Sequence, residues 1–436
     1  MFLLARRWLD RRDAIFAAAL YAANPYFIVI VYWRSAFAEL LAGALLPLLL
    51  LYTLLAGEED EQAILPLAAI VAAAWLTNIP AAVMVNYSLA LLIVILAILK
   101  CSARVLLNGA VAALLGAALA AFFVLPAAHE RRWVNIAEVL SAGVRPEDNF
   151  LFVKINDVDH NRFNLLVSLV ASAEMIVLAI AASVSVSGRR REPREWWLLL
   201  GWAVPAVLLN FSFTSFLWEH LPELRYVQLP WRWLLCLNVP FALFVTTASR
   251  RWMVRVLICV GMFAVLMFVW HRTQAPWWET AGDFAGMLRQ QRSGAGYEGT
   301  DEYVPVSGDP YEIKHDAARV FLDDGVVPAE IRRIQVTQWS AESKIFTAQV
   351  DHPGQLVLRL FNYPAWCVQV NGQVVPTSTR DVTGQMEIPV QAGENRVQVS
   401  FARSSDRTLG GIISGITALY LGGLVMIRRA RLRKPA

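Results

Sequence analysis

Two arginines and a glutamine lie in a short stretch that also carries prolines and tryptophans. The stretch at 221–235, LPELRYVQLPWRWLL, places Arg225, Gln228 and Arg232 between two apolar runs. A guanidinium offers a planar fork of donors that fits the oxygens of a phosphate. Because Trp favours the membrane–water interface, the arginines are expected at the depth of lipid headgroups. The stretch predicts a site for a lipid phosphate or pyrophosphate, and arginines that simply extend to the headgroups are the alternative.

A second charged pair lies in YWRSAFAELLAG at 32–43. Arg34 stands at the end of one apolar run, and Glu39 lies about one helical turn inside the next. An ionisable side chain near the centre of a membrane span costs about 3 kcal/mol and is a candidate functional residue. We therefore take Glu39 as a candidate catalytic acid or base and Arg34 as a third phosphate-binding residue. The alternative is a structural pair in which Arg34 neutralises Glu39.

The polar stretch at 127–162 offers further candidates. Glu130, in the sequence HERR, is a second candidate acid or base. Asp157, Asp159 and His160 could hold a divalent metal ion that binds a phosphate, since carboxylate oxygens are hard ligands. The alternative for these three residues is a polar surface turn. The four cysteines are scattered without a CxxC pair, and no nucleotide-binding or nucleic-acid-binding motif is present.

The composition defines the environment in which these residues must work. Of 436 residues, 57% are hydrophobic and 17% are charged, against about 25% charged in a typical soluble domain. The mean hydropathy is +0.47. The 16 tryptophans suit aromatic belts at two membrane–water interfaces. These values predict a membrane protein that contacts the lipid bilayer and exclude a single soluble core.

The apolar runs predict about ten transmembrane helices, because a helix that crosses the hydrocarbon needs about 20 residues. The expected spans are 14–33, 36–56, 63–79, 81–99, 105–126, 163–187, 196–215, 230–249, 254–270 and 409–427. A break at Asn78-Ile79-Pro80 divides the third span from the fourth. With that break the basic clusters share one side of the membrane, as cytoplasmic loops do. Both termini are then cytoplasmic, and 127–162, 216–229 and 271–408 lie outside.

The pattern changes near residue 300 from helical runs to alternating strands. QLVLRLFN, AWCVQVNGQVVP, GQMEIPV and NRVQVSFARS alternate apolar and polar residues, which is typical of half-buried strands. Asn371-Gly372 indicates a two-residue hairpin turn. The sequence thus predicts a membrane all-α bundle plus an outer β-sandwich-like domain of six to eight strands. The predicted domains are a transmembrane part at 1–272, an extracytoplasmic part at 273–408 that is sandwich-like from about 300, and a final span with a basic cytoplasmic tail at 409–436.

Several segments resemble a family of large bacterial multi-span proteins, the membrane proteins with a 6-pyruvoyl-tetrahydropterin synthase-related domain. The segment around YWRSAFAELLAG resembles the family's YxRgaxAExxAxxxlPl pattern, and FFVLPAAHERRWV matches FxxPAxxE. LPELRYVQLPWRWLL matches LPxLrxvQFPWR with Leu229 in place of Phe. LTNIP resembles the LTHN segment, keeping Asn78 without the His. YEGTDEYVP and NYPAWCVQVNG also fit, so the resemblance extends along nearly the whole chain.

The family is similar in architecture to GT-C glycosyltransferases, which transfer sugars from polyprenyl-phosphate carriers at the outer face of the membrane. The resemblance implies an inner-membrane protein of cell-envelope carbohydrate assembly with a polyprenyl-phosphate lipid as ligand. Family members have further spans before the YxRgaxAE segment, where GT-C enzymes carry the catalytic acid. We therefore expect a separate N-terminal half or a partner subunit. The alternatives are a non-catalytic scaffold that binds glycan or protein, and a transporter or flippase.

Overall fold

The structure is a computed structural model. It describes residues 1–58, 60–187, 195–273, 280–293, 301–306, 308–309, 312–313, 318–323 and 334–432. The basic residues at 189–194, which are among the clusters expected on the cytoplasmic side, lie outside the described residues. The chain folds into two compact units. The first comprises Met1–Val124, Val139–Trp277 and Gly410–Ala436, and the second comprises Leu125–Glu138 and Trp278–Leu409.

The described part of the chain is mostly helical. The helices are α1 (Phe2–Ala5), α2 (Arg11–Ala22), α3 (Pro25–Tyr32), α4 (Phe37–Gly57), α5 (Ile64–Thr77), α6 (Ile79–Lys100), α7 (Ala103–Leu119), α8 (Ala121–Glu130), α9 (Pro146–Asn149), α10 (Val158–Ser187), α11 (Glu195–Leu208), α12 (Ser215–His220), α13 (Leu234–Ala248), α14 (Trp252–Thr273), α15 (Ala281–Ser293) and α16 (Ser405–Leu432). Short 3₁₀ turns at Leu224–Val227 and Pro230–Trp233 precede α13. Side chains from α2–α6, α10, α11 and α13 form one hydrophobic core in the first unit.

The prediction of about ten spans is not confirmed. Within the described ranges, seven helices are long and apolar enough to cross a membrane, or up to nine if two bent pairs each count as one span. The helix at Glu61–Thr77 is shorter than the other candidate spans. Two predicted spans bend, by 75° between Leu119 and Ala121 and by 98° between Leu208 and Ser212.

Polar residues explain where two of these helices end. Asn78 caps α6 by accepting a hydrogen bond from the backbone of Ala81, with Pro80 in the first turn. The helix therefore breaks at Asn78, as the sequence predicts. At the sharper bend, Asn210 donates to the carbonyl of Ala206 and Thr214 donates to that of Phe211. Such side-chain bonds compete with the helical ladder, and hydropathy alone does not report them.

The second unit contains two antiparallel sheets. The strands are β1 (Val320–Leu322), β2 (Ile334–Trp339), β3 (Ser343–Val350), β4 (Gly354–Phe361), β5 (Trp366–Val370), β6 (Gln373–Val375), β7 (Ser378–Thr379), β8 (Gln385–Val390) and β9 (Gly393–Phe401). Their orders are β1-β4-β8-β7 and β2-β3-β9-β5-β6. Inward side chains of both sheets share one core, which includes Leu356, Ile388, Phe346 and Val397. This is the predicted β-rich region, with more strands in its described part than the six to eight expected.

The predicted hairpin turn is present between β5 and β6. Val370 pairs with Gln373 across it, and Asn371 and Gly372 have φ of 51° and 81°. Two positive φ angles in succession are typical of the turn whose twist matches that of the strands. The same unit includes the chain segment 125–138, where Asn135 donates its backbone N–H to the carbonyl of Val304 at 2.8 Å.

Candidate functional site

Two short interruptions between helices position the first part of the site. Asn24 caps α3 by accepting from the backbone N–H of Tyr26 at 2.8 Å, and Pro25 is the first residue of that helix. The helix ends at Tyr32, and the chain turns through Ser35, whose φ is 48°. This turn places Arg34 before α4 and Glu39 in the first turn of α4. A carboxylate is favoured there because backbone N–H groups point outward at a helix N-terminus.

Glu39 is the centre of a buried polar cluster in the first unit. Its side chain is 1% exposed. The Tyr26 hydroxyl donates to Glu39 Oε1 at 2.7 Å. Arg34 Nη1 donates to Oε2 at 2.6 Å, and Arg232 Nε donates to the same oxygen at 3.1 Å. Two guanidinium groups therefore bind one carboxylate oxygen, and the predicted Arg34–Glu39 pair forms with Arg232 as a further member.

Arg232 is fixed by the turn that precedes it. Its Nη1 donates to the carbonyl of Val227 at 2.6 Å and to Oε1 of Gln228 at 3.2 Å. Gln228 has φ 65° and ψ −55°, and the backbone N–H of Leu229 donates to the carbonyl of Val227 at 2.7 Å. This is a γ-turn with positive φ, which is rare and strained. Such φ/ψ outliers persist where the surrounding structure holds the backbone in place, and they are frequent at functional sites.

Trp231 closes one side of the cluster. The guanidinium carbon of Arg34 lies 4.7 Å from the centroid of the Trp231 ring, within the range of a cation–π interaction. Tyr26 packs edge-on against the same ring at 6.1 Å. Burial works against the charged form of Arg34, but the Glu39 carboxylate outweighs it, so the pKa of Arg34 lies above its ordinary value. Arg34 therefore stays charged.

The cluster carries an excess of positive charge. With Arg34 and Arg232 protonated and Glu39 ionised, its net charge is +1. The side chains of Arg232 and Arg34 are 10% and 14% exposed. A carboxylate or phosphate group could bind the two guanidiniums together with Glu39 or in its place.

An apolar groove flanks the same chain segment in the first unit. It has a volume of about 490 Å³, and its lining includes Trp202, Phe213, Leu217, Leu224 and Trp233. The bend between α11 and α12 forms part of its wall. On the 3₁₀ turn Pro230–Trp233, three consecutive residues therefore have different tasks. Trp231 contacts Arg34, Arg232 binds Glu39, and Trp233 lines the groove.

The other predicted site residues have separate partners. Arg225 binds Glu147 at 2.9 Å, with both side chains partly exposed. Gln228 joins the cluster through Arg232 and donates to the carbonyl of Val139 at 2.8 Å. Glu130 belongs to the second unit, where both of its carboxylate oxygens accept from Arg407, at 2.6 and 2.8 Å. The structure thus brings together Arg34, Glu39, Gln228 and Arg232.

The candidate metal ligands act as helix-terminal residues. Asp157 Oδ1 accepts from the backbone N–H groups of Asp159 and His160, which begin α10. Asp159 pairs with Arg162, and the His160 ring contacts the carbonyl of Asp148. No group of three His, Cys, Asp or Glu side chains within the described ranges is arranged to hold a metal ion. In the structure Asp157 thus caps the start of α10.

Two members of the cluster were not identified from the sequence as site residues. Tyr26 and Trp231 look like ordinary aromatic residues of a membrane protein. Tyr26 lies 13 residues before Glu39, so no local spacing connects them. The one available signal is the Asn24-Pro25 pair, which predicts a helix start and so a fixed position for Tyr26.

The fold and the buried charges define a polytopic helical membrane protein with an additional β-sheet unit. A family model described as "6-pyruvoyl-tetrahydropterin synthase related domain; membrane protein" matches residues 1–275. The chain belongs to that family, as its motifs predict. No curated protein and no solved structure matches the chain.

Proposed function

We propose that this protein binds a polyprenyl-phosphate-linked lipid and takes part in carbohydrate assembly at the cell envelope. The phosphate would be held by Arg34 and Arg232. The observation that carries the proposal is the convergence of two guanidiniums on one oxygen of Glu39. A phosphate oxygen is the group that such a pair is best suited to bind when the ligand enters.

The groove beside the cluster supports a ligand with a long apolar chain. Its lining is almost entirely hydrophobic, and Trp233 connects it to the turn that carries Arg232. A prenyl chain could occupy the groove while its phosphate reaches the arginines on the other side of the same turn. Because lipid tails are as apolar as the groove, the gain on binding would come from close packing of the prenyl chain against the lining. Headgroup and chain would then be recognised by neighbouring residues.

The positions of the two acid candidates favour binding over catalysis by this chain alone. Glu39 is bound by Arg34, Arg232 and Tyr26, and Glu130 is bound by Arg407. An ion-paired carboxylate is a weak general base because its charge is already neutralised. A binding component that works with a partner subunit is therefore the second candidate function. On this view the partner would supply the catalytic acid.

The orientation proposed for the site follows from the basic residues. Arg11 and Arg12 begin the span that ends at Tyr32, just before Arg34. If the basic end is cytoplasmic, the cluster lies near the outer face of an inner membrane. Both termini are then inside when the two bent pairs and the shorter helix Glu61–Thr77 also count as spans, which makes ten. The phosphate of a lipid carrier would then be bound on the outer side.

The test measures binding of three ligands to the purified protein: a polyprenyl phosphate, the matching polyprenol without phosphate, and inorganic phosphate. We expect the polyprenyl phosphate to bind best. Arg34→Gln and Arg232→Gln should each weaken its binding ten- to a hundredfold, because a charge-assisted bond contributes about 1.5–3 kcal/mol. Arg→Lys should restore binding only in part, since it keeps the charge and loses the fork. Binding of polyprenol should be unaffected by these variants.

Two matched controls accompany the test. Arg225→Gln removes an arginine of the same segment that is paired with Glu147 and should leave binding unchanged. The second control concerns the prenyl chain of the ligand. Ala206→Phe fills the groove, and Ala97→Phe fills a second apolar pocket of about 310 Å³. Only Ala206→Phe should weaken the binding of polyprenol. If folded Arg232→Gln binds polyprenyl phosphate as tightly as the parent, the proposed phosphate site is wrong.

A further inference from the structure

A second glutamate is buried in the first unit, called the membrane unit from here on, away from any ion pair. Glu174 lies in the middle of α10, and its relative exposure is 0%. Among the described residues, neither carboxylate oxygen has a hydrogen-bond partner. Most buried polar side chains have such a partner, and most buried charges are paired. The buried carboxyl group of Glu174 therefore lacks the ion pairs that stabilise the buried carboxylate of Glu39.

The polar groups that act on Glu174 are both neutral. They are the side-chain amide of Asn24 and the backbone N–H of Tyr26, which lie near the carboxyl group without completing a hydrogen bond of ordinary geometry. The amide nitrogen of Asn24 is itself buried without a hydrogen-bond partner within the described part of the chain. Glu174 and Asn24 thus bring unsatisfied polar atoms into one apolar region. Both neighbouring groups are N–H donors, so one oxygen of Glu174 can accept from them while a proton on the other oxygen keeps the carboxyl group neutral.

The charged side chains on the elements packed against α10 are engaged elsewhere. These elements are α3, α13, α14 and the turn Pro230–Trp233. Arg232 of the turn binds Glu39, Arg255 of α14 binds Asp13 at 2.7 Å, and Arg272 lies over the ring of Phe268. The helices α3 and α13 contain no charged residue, and His271 at the end of α14 is exposed. On α10 itself the other titratable residues are Asp159, His160 and Arg162, which lie in its first turns, about 18–23 Å along the helix from Glu174.

We propose that Glu174 is a proton-binding site of the membrane unit and carries its proton as a neutral carboxylic acid. The membrane unit then contains two buried glutamates in opposite states. Glu39 is ionised because two arginines and a tyrosine hold it, and Glu174 is neutral because nothing charged does. Tyr26 links them, since its backbone lies beside Glu174 while its hydroxyl binds Glu39. This inference is independent of the lipid ligand.

The protonated acid can be observed directly by infrared spectroscopy. A carboxylic acid and a carboxylate have separate C–O stretching bands, and a difference spectrum between two variants isolates a single group. We would compare the full-length protein at neutral pH with Glu174→Gln and Glu39→Gln. The expected result is the loss of one protonated-carboxyl band in Glu174→Gln. The spectrum of Glu39→Gln should keep that band and lose only carboxylate absorption.

A second measurement separates a neutral acid from an ionised one. Gln is a neutral isostere of protonated Glu, so Glu174→Gln should leave the midpoint of thermal unfolding close to that of the parent. Glu39→Gln should lower the midpoint clearly, because it leaves two buried arginines without their anion. The proposal is overturned if the difference spectrum of Glu174→Gln shows loss of a carboxylate band. It is equally overturned if this variant lowers the midpoint as much as Glu39→Gln.

Discussion

Arg232 donates its Nε–H to Oε2 of Glu39 at 3.1 Å, although 193 residues separate the two along the chain. The bond joins the first turn of α4 to the 3₁₀ turn that precedes α13. Because Arg34 binds the same oxygen, one carboxylate holds two chain segments together. Stability and ligand binding are therefore coupled at this point, and the first test concerns the carboxylate itself.

Glu39→Gln should destabilise the membrane unit by about 3–5 kcal/mol, the usual cost of removing one partner from a buried ion pair. The measurement is unfolding of the purified protein by denaturant in detergent. Glu147→Gln is the matched control, since Glu147 also binds an arginine of the 221–235 segment but is 33% exposed. A partly exposed pair contributes about 0–1 kcal/mol. Equal effects of the two substitutions would contradict a buried ionic centre at Glu39.

A second buried ion pair lies at the opposite end of the span Arg11–Tyr32. Asp13 Oδ1 accepts from Arg255 Nη1 at 2.7 Å, and Arg255 also donates to the carbonyls of Ser249 and Thr246. Arg255→Gln should cost about 3–5 kcal/mol in unfolding free energy. Arg250 approaches the same Asp13 only to 3.9 Å, and its side chain is 79% exposed. Arg250→Gln should therefore change the unfolding free energy by less than about 1 kcal/mol.

Local spacing made part of the site predictable. Arg34 and Glu39 are five residues apart across a helix junction, so their pairing follows from the sequence. The partner of Arg225 is Glu147, 78 residues away, and no local spacing indicates that pairing. The positive φ of Gln228 has no signal either, because a γ-turn at a non-glycine residue is imposed by its surroundings. Long-range pairing and strain require the three-dimensional structure.

In the fold, too, local signals predict some features, whereas others require the three-dimensional structure. Asn371-Gly372 predicts its hairpin because both residues tolerate positive φ. The bends after Leu119 and Leu208 are not visible in hydropathy, which does not distinguish a straight helix from a bent pair. Glu174, like Glu39, is an acid inside an apolar run, a pattern that marks a candidate functional residue. Its lack of a charged partner could be seen only in the structure.

The proposed topology can be tested with a native cysteine. Cys101 is exposed and lies beside Lys100 and Arg104, in a segment expected to be cytoplasmic. In a variant without the other three cysteines, an impermeant thiol reagent should label Cys101 only after cells are permeabilised. Ala142→Cys in a cysteine-free background should be labelled in intact cells, since residue 142 is exposed in a segment expected outside. Labelling of Cys101 in intact cells would invert the proposed orientation.

Trp366 is expected to be important for the stability of the β-sheet unit. Its ring packs edge-on against Phe401 with centroids 4.9 Å apart, and the ammonium of Lys344 lies 4.3 Å from its centroid. Because Trp366 is only partly buried, Trp366→Ala should cost about 3 kcal/mol, the lower end for Trp→Ala. Val374→Ala on the neighbouring strand β6 is the control, since Val374 is 69% exposed. Limited proteolysis of the full-length protein along a denaturant series would report both changes, and equal midpoints would contradict the packing role.

The last prediction concerns the strained turn that positions Arg232. Gln228→Ala and Gln228→Gly both remove the side-chain bonds to Arg232 and to the carbonyl of Val139. They differ in the backbone, since glycine adopts φ near 65° without the cost that alanine meets. Gln228→Gly should therefore be more stable than Gln228→Ala by about 1 kcal/mol or more in denaturant unfolding. If the Gln228 side chain also orients Arg232, both variants should bind polyprenyl phosphate more weakly than the parent. If Gln228→Gly is no more stable than Gln228→Ala, the turn relaxes in the variants and backbone strain does not contribute at this site.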